Sequence, residues 1–374
     1  MTPPDIEGFL EDLWEFQSNF HACFPRSETR AHFFDYMVGQ LSPLERQASE
    51  PMALHVKGGT LRGLQRFISA VPWDEEHMRW TYHQLVADAM GDPEGVLMVA
   101  EPGFVQKGKE SVGVARQSCG TLGKVENCQV GVFAGYASRQ GYALVDQRLF
   151  LPEVWLTDAY AARRTRCNVS TELTFQSKPP LAAARVQALA QEGLLPFKYV
   201  VAECLYGNSP AFWEAIEACV GVSAFVAIPA ETRCWLPRPR TEARPYTYKG
   251  DVRVKRVAVA PTNVPSSVAA VAAGLPAASW YRRTVSEGTR GPLVYEFARQ
   301  RIRLCKDGLP ERTVWLVLKR SIGGEPTYTS YLSNAPGRTP LRTFVWLSGL
   351  RWAVEQGFEE GKTELGMDHD EGRK

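Results

Sequence analysis

The sequence predicts an α/β protein built on a mixed sheet flanked by helices, and three patterns point there. Residues 1–92 carry apolar side chains at helical spacing. From Gly95 that spacing gives way to short apolar runs separated by turn residues. Between Leu181 and Ile228 helix-length and strand-length segments alternate.

In chain order, Glu7 to Phe20 reads as a helix because Phe9, Leu10, Leu13, Trp14 and Phe16 recur at its period. Ser27 to Leu41 is a second helix, with Ser27 as its cap and Gly39 near its end. Thr60–Val71 and Asp74–Met90 are two more, and Asp74-Glu75-Glu76 suits the positive end of a helix dipole. Gly95–Ala100 reads as a buried strand, followed by strands at Ser111–Ala115, Cys128–Tyr136 and Gly141–Leu149. Leu181–Gly193 is a helix, Tyr199–Cys204 a strand, Ser209–Val220 a helix and Ala224–Ile228 a strand. Residues 229–310, rich in Pro, Arg and Thr, read as a mostly β insertion with strand-like pieces at Val252–Val259 and Trp280–Thr284. Thr313–Lys319 and Tyr328–Ser333 close the sheet, and Pro340–Leu365 is a long helix. The expected units are therefore 1–92 (helical), 93–228 (first part of the core), 229–310 (insertion) and 311–374 (last strands and late helix).

Composition narrows the chemistry. At 374 residues the chain has room for more than one unit with a core of its own. No apolar run reaches the roughly 18 residues of a membrane span, so no membrane partner is expected. The first residues have neither a basic nor an apolar signal segment. Eight cysteines without a CxxC pair point to reduced thiols in a cytoplasm. The six histidines fall at or before His83 and at His369, so a histidine-based triad or zinc site in residues 84–368 is excluded unless the ends reach in. Residues 1–95 hold 7 Lys/Arg against 15 Asp/Glu, while the remainder holds 36 against 26. The basic remainder can face a polyanion; the acidic first quarter is a poor DNA reader.

Three segments carry a family likeness. The first runs Val99-Ala-Glu-Pro-Gly-Phe-Val-Gln-Lys-Gly-Lys-Glu-Ser-Val-Gly-Val-Ala-Arg-Gln117 and continues from Gly120 through Asn127-Cys-Gln-Val130. The second is Val201-Ala-Glu-Cys-Leu-Tyr-Gly207. The third is Arg351-Trp-Ala-Val-Glu-Gln-Gly-Phe-Glu-Glu-Gly-Lys-Thr-Glu-Leu-Gly-Met-Asp-His369. In this order and spacing they resemble the DDE transposases of bacterial insertion sequences, the insertion sequence 701 type, from about residue 26 to the C-terminus. The resemblance implies an RNase H-like core. In it, carboxylates from the first strand, the fourth strand and a late helix hold two divalent cations about 3.5–4 Å apart. Mg²⁺ or Mn²⁺ would serve there, since hard cations take oxygen ligands.

The departures from the pattern are specific. The family's Asp-Glu-x-Gly-Phe is Ala100-Glu101-Pro102-Gly103-Phe104 here, so the first metal ligand is replaced by a methyl group. The family's Asp-x-x-Tyr-Gly is Glu203-Cys204-Leu205-Tyr206-Gly207, one methylene longer in the acid. The third acid is retained as Glu355. Glu101 is the one replacement within reach along the chain, but adjacent strand residues point to opposite faces.

The candidate catalytic residues are thus Glu203, Glu355 and Glu101. Lys107, Tyr206, Arg351 and Lys362 are candidate phosphate or substrate contacts, with no resident metal expected. Each has a plainer reading: Glu203 as half of an ion pair, Glu355 paired with Arg351 on a solvated helix face, Lys107 and Lys362 as surface lysines, Tyr206 as a packing residue. Cys204, with no histidine nearby to lower its pKa, reads as a buried structural thiol. Tyr246, Tyr248, Lys249, Arg253, Lys255 and Arg256 form either a nucleic-acid face or an ordinary half-exposed strand. Three functions stay open: a transposase-like DNA-binding protein impaired in two-metal cleavage, a repurposed metal-independent enzyme acting on a small molecule through Glu203 and Glu355, or an active nuclease using Glu101, Glu203 and Glu355.

Overall fold

The computed structural model describes residues 3–56, 60–249, 251–259, 264–288 and 291–368. His369, the end of the third motif, lies outside them. The chain begins with helices α1 (Pro3–Ser18), α2 (Ser27–Leu41), α3 (Ser49–His55), α4 (Leu61–Ala70) and α5 (Glu75–Met90). Thr60 caps α4 by accepting from Gly63 N, and Asp74 caps α5 by accepting from His77 N, as the acid-rich start foretold. Ser27 does not cap: it is already helical, and the cap position is Arg26. The short α3 had no periodic signal.

These helices bury two small clusters, one around Phe20, Phe24 and Phe67, the other around Met52 and Leu64. Gly39 lets α3 come close, since a Cβ there would stand 2.9 Å from Met52. The apolar stripe of α1 is only partly used: Leu13 is buried while Phe9, Leu10, Trp14 and Phe16 remain exposed. Helix α5 is pinned to the rest of the chain. Its buried His83 sits 2.6 Å from Glu192 through Nδ1 and 2.7 Å from the Val145 carbonyl through Nε2.

The centre of the molecule is β1 (Val96–Ala100), β2 (Gly103–Val105), β3 (Ala115–Cys119), β4 (Lys124–Ala137) and β5 (Tyr142–Phe150). They are followed by α6 (Ala161–Arg166), α7 (Lys178–Glu192), β6 (Tyr199–Ala202), the single turn α8 (Cys204–Gly207), α9 (Pro210–Glu217) and β7 (Ser223–Ile228). Residues 111–114, expected as strand, form a turn that leads into β3. Strands β5, β4 and β1 run antiparallel side by side, and β6 and β7 add to β1 in parallel. The order β5-β4-β1-β6-β7, with helices linking the parallel strands, is that of an RNase H-like core.

The sheet does not stop there. Past β7 come β8 (Arg233–Trp235), the hairpin β9 (Arg240–Tyr248) and β10 (Asp251–Val259), β11 (Ser266–Ser267) and α10 (Val268–Gly274). The chain then forms β12 (Tyr281–Gly288), β13 (Gly291–Lys306), β14 (Leu309–Arg320) and β15 (Tyr328–Ser333). Within residues 229–310, β8, β11, β12 and β13 belong to the core sheet, which has 13 strands among the described residues. β13, at 16 residues the longest strand described, lies outside the strand-like pieces expected in this stretch and carries arginines at alternate positions of one face. Only β9–β10 forms a sheet of its own.

Two layers of helix cover the sheet. On one side α7 and α9 bury Val186, Phe212 and Ile216 against Leu97, Val200 and Val226. On the other, α11 (Leu341–Gly349) and α12 (Arg351–Thr363) bury Phe344, Leu347 and Val354 against Met98, Val201 and Phe225. Each such side chain is worth about 1.5–3 kcal/mol of burial. The helix expected as one from Pro340 to Leu365 breaks at Leu350, where bonds of the three-residue type run from Leu350 N to Leu347 O and from Ala353 N to Leu350 O. Gly349 allows the break to press on β12: a Cβ there would lie 2.6 Å from Val285. Among the described residues no helix is long and apolar enough to cross a membrane.

Candidate functional site

The three motifs meet at the C-terminal ends of β1 and β6. Ala100 is the last residue of β1, opposite Phe133. Glu203 follows β6 and opens α8, whose tight turn is enforced by packing. A Cβ on Gly207 would stand 2.3 Å from the Ala227 carbonyl, and Trp213 Nε1 donates to Gly207 O at 2.9 Å. The break at Leu350 aims the first turn of α12 at the same spot. Ala100, Glu203, Arg351 and Glu355 therefore line one cavity of about 60 Å³. Its walls are apolar where Met98, Val201, Leu347 and Val354 meet, and its other polar groups are Thr329, Tyr331 and Ser348.

The charges in this pocket are tied together. The Arg351 guanidinium lies 2.8 Å from Glu355 and 3.2 Å from Glu203. All three side chains are open to solvent, with 62%, 59% and 45% exposure for Arg351, Glu355 and Glu203. Burial pulls the pKa of Arg351 down, but Glu203 and Glu355 outweigh it and the net direction is up. Tyr331 packs face to face on Phe225 at 4.5 Å, and burial pushes its hydroxyl up to about 12. It is a neutral donor at any ordinary pH. Arg351 thus sits between the two acids and pairs with both.

Glu101 goes to the other side of the sheet. Its carboxyl lies toward α7 and α8, near Tyr206 and Lys178. Burial raises its pKa; the Tyr206 hydroxyl and Lys178 pull it back only in part. Tyr206 is fully buried against Phe212, and burial followed by Glu101 drives its hydroxyl far above the ordinary range. The two groups feel each other's titration, yet Glu101 Oε2 and Tyr206 OH are both shielded without a partner in hydrogen-bond geometry. Neither lines the pocket. Lys107 is exposed in the loop after β2. Lys362 lies over the Phe104 ring at 5.0 Å, joining α12 to β2 within the first motif.

Cys204 corrects an expectation. As the first residue of α8 it turns outward and is exposed, not buried. Its thiol is still pushed up, by local desolvation and then by Glu203, so it is not an activated nucleophile. On the hairpin, Tyr246 faces Arg253 across the strands, with Arg253 over Tyr248 at 4.9 Å and Lys255 over Tyr246 at 5.2 Å. Its other face is more exposed than expected, with Val252 at 75% and Val254 at 67%. Tyr331, Thr329 and Ser348 were not singled out from sequence. Strand alternation put Tyr331 and Thr329 on one face, and Ser348 precedes Arg351 by three residues, but nothing local said which faces would meet.

The donor set does not match a two-cation centre. Ala100 offers no oxygen where the resembled pattern has its first acid, Glu203 and Glu355 share the Arg351 guanidinium, and no cluster of three or more His, Cys, Asp or Glu among the described residues could hold a metal ion.

Comparison with known proteins adds a lineage. Residues 19–292 match the family described as DDE superfamily endonuclease. The chain is 26% identical over 353 residues to the probable transposase for insertion sequence element IS701 of Microchaete diplosiphon, covering 93% of this chain and 78% of that protein. A piggyBac transposase solved in a synaptic complex with hairpin DNA aligns at a TM-score of 0.39 and 8% identity. That alignment covers 92% of this chain and 64% of the piggyBac chain, so this chain spans under two thirds of its length.

Proposed function

This chain belongs to the DDE superfamily of endonucleases, and from that premise we propose that it is a transposase-like protein that engages DNA but does not carry out two-metal strand cleavage. The observation that carries the reading is the Glu203–Arg351–Glu355 bridge beside Ala100. Two-metal cleavage needs carboxylates that balance two cations at once. Here one acid is missing and a fixed positive charge already occupies the space between the other two. Glu101 does not substitute, because it stays outside the pocket, with one carboxyl oxygen shielded from solvent and its pKa raised, first by burial. Mg²⁺ or Mn²⁺ is accordingly no part of the chemistry we assign.

The test is nicking of supercoiled plasmid by the purified protein with Mg²⁺ or Mn²⁺. The expected outcome is no cleavage that chelator removes. Chelator-sensitive nicking lost in Glu355→Gln would overturn the reading. The double variant Ala100→Asp/Glu203→Asp supplies a sharper arm: calorimetry should detect Mn²⁺ binding in it and none in the wild type.

The apolar walls of the pocket favour a second reading, in which Glu203 and Glu355 act as acid and base on a small molecule. Such an activity would survive chelator and fail in Glu203→Gln.

A further inference from the structure

The end of the sheet opposite the acid pocket carries a cationic face that none of the motifs includes. On β13, Arg299, Arg301 and Arg303 occupy alternate positions, hence one face, at a step of roughly 6–7 Å. Arg299 and Arg301 lie over the Trp315 ring at 4.7 and 5.0 Å. The Trp315 indole donates to Pro336 O at 3.2 Å, and the Arg299 guanidinium donates to Thr339 O. These bonds draw in the loop that carries Arg338, which lies within electrostatic reach of Lys198. Four residues on, Arg342 in the first turn of α11 shares a cavity of about 240 Å³ with Arg139, Glu94 and Trp346, and Arg139 sits 5.8 Å from the Trp346 ring.

The charges are not neutralised. Among the described residues no carboxylate lies within 4 Å of Arg139, Arg299, Arg301, Arg303, Arg338 or Arg342; Glu94, the acid in the cavity, is engaged by Lys198. Arg139, Arg299, Arg301, Arg338 and Arg342 are exposed. Six unpaired arginines gathered past two tryptophans keep a strong field over one face. Arginine suits bidentate contact with phosphate, and its fixed charge does not adapt by losing a proton. The β9–β10 hairpin makes a weaker case, because Glu242 and Asp251 lie beside its arginines.

We propose that the Arg299–Arg301–Arg303 row, with Arg338, Arg342 and Arg139, is a docking surface for the phosphate backbone of duplex DNA, at the end of the sheet away from the acid pocket. This rests on the reading that the chain engages DNA and assigns that engagement a place. Phosphate contact of this kind is independent of sequence and releases counterions, so it is read from salt dependence.

The experiment is fluorescence anisotropy of the full chain with a mixed-sequence DNA duplex across a KCl series. The triple variant Arg303→Gln/Arg338→Gln/Arg342→Gln removes three guanidiniums that make no hydrogen bond or ion pair among the described residues. It should flatten the slope of log affinity against log salt by about 1 for each arginine removed. The corresponding triple Lys variant should recover most of that slope, whereas Arg253→Gln/Lys255→Gln in the hairpin should leave it near wild type. Circular dichroism confirms that each variant is folded. If the wild type binds and the triple Gln variant keeps its slope, or the hairpin variant takes the larger loss, the assigned surface is wrong while DNA engagement stands. If the wild type does not bind duplex at low salt, DNA engagement itself fails and the surface with it.

Discussion

The two sides of the sheet treat their carboxylates in opposite ways. On the α11–α12 side, Glu203 and Glu355 stand in the open and share one guanidinium. On the α7–α9 side, Glu101 is shielded beside the equally shielded Tyr206 hydroxyl, with its pKa raised. Ala100 and Glu101 are neighbours in sequence, yet the end of β1 sends them to different environments. A motif read as one cluster of acids divides between two environments, one open to solvent and bridged by a guanidinium, the other shielded, where burial raises the carboxyl's pKa.

The largest test of this division acts on the turn that creates it. Gly207→Ala would set a Cβ 2.3 Å from the Ala227 carbonyl, a backbone atom that cannot swing away. Overpacking of this kind costs about 1–3 kcal/mol, readable as a lower denaturant midpoint. An unchanged midpoint would mean that α8 is free to shift and that Glu203 is not rigidly placed.

Next comes the pH dependence of Glu101. Its folded pKa lies above its unfolded value, so as pH rises past the unfolded value the unfolded chain gives up the proton first. Stability then falls with rising pH until the folded pKa is reached, by at most about 1.4 kcal/mol per pH unit. Glu101→Gln should remove that fall and be more stable than the wild type at neutral pH. A variant no more stable there would show that Glu101 is ionised and paired in the fold.

The smallest effect belongs to Arg351. Because its side chain is 62% exposed, Arg351→Ala should cost less than about 1 kcal/mol of stability. A thermal scan that shows a larger loss would mean the bridge is a structural clamp and not an exposed pair of contacts.

Much of the fold was legible because periodicity is local. Asp74 and Thr60 announced their helices, and the apolar runs at 96–100, 199–202 and 223–228 marked the three parallel strands of the core. The motifs likewise singled out Glu203, Arg351 and Glu355, which one cavity brings together. β13 was not legible, because it lies in a stretch read as a Pro-, Arg- and Thr-rich insertion, and the surface its arginines lie on, β14 with Trp315, is supplied only by packing. The break at Leu350 escaped for a related reason: helical spacing continues through it, and only contact with Val285 marks Gly349 as the place to bend.

By itself the amino-acid order marked most of the helices and the core strands, and picked out the three motifs, with Ala100 where the resembled pattern has its first acid. All of these depend on side-chain type and spacing within a few residues. Which faces of distant segments oppose one another was decided only by the packed chain. That is why the guanidinium between Glu203 and Glu355, the burial of Glu101 beside Tyr206, and the arginine face gathered from β13, the 336–339 loop and α11 emerged only in three dimensions. Their physical basis is charge and solvation summed over groups far apart along the chain.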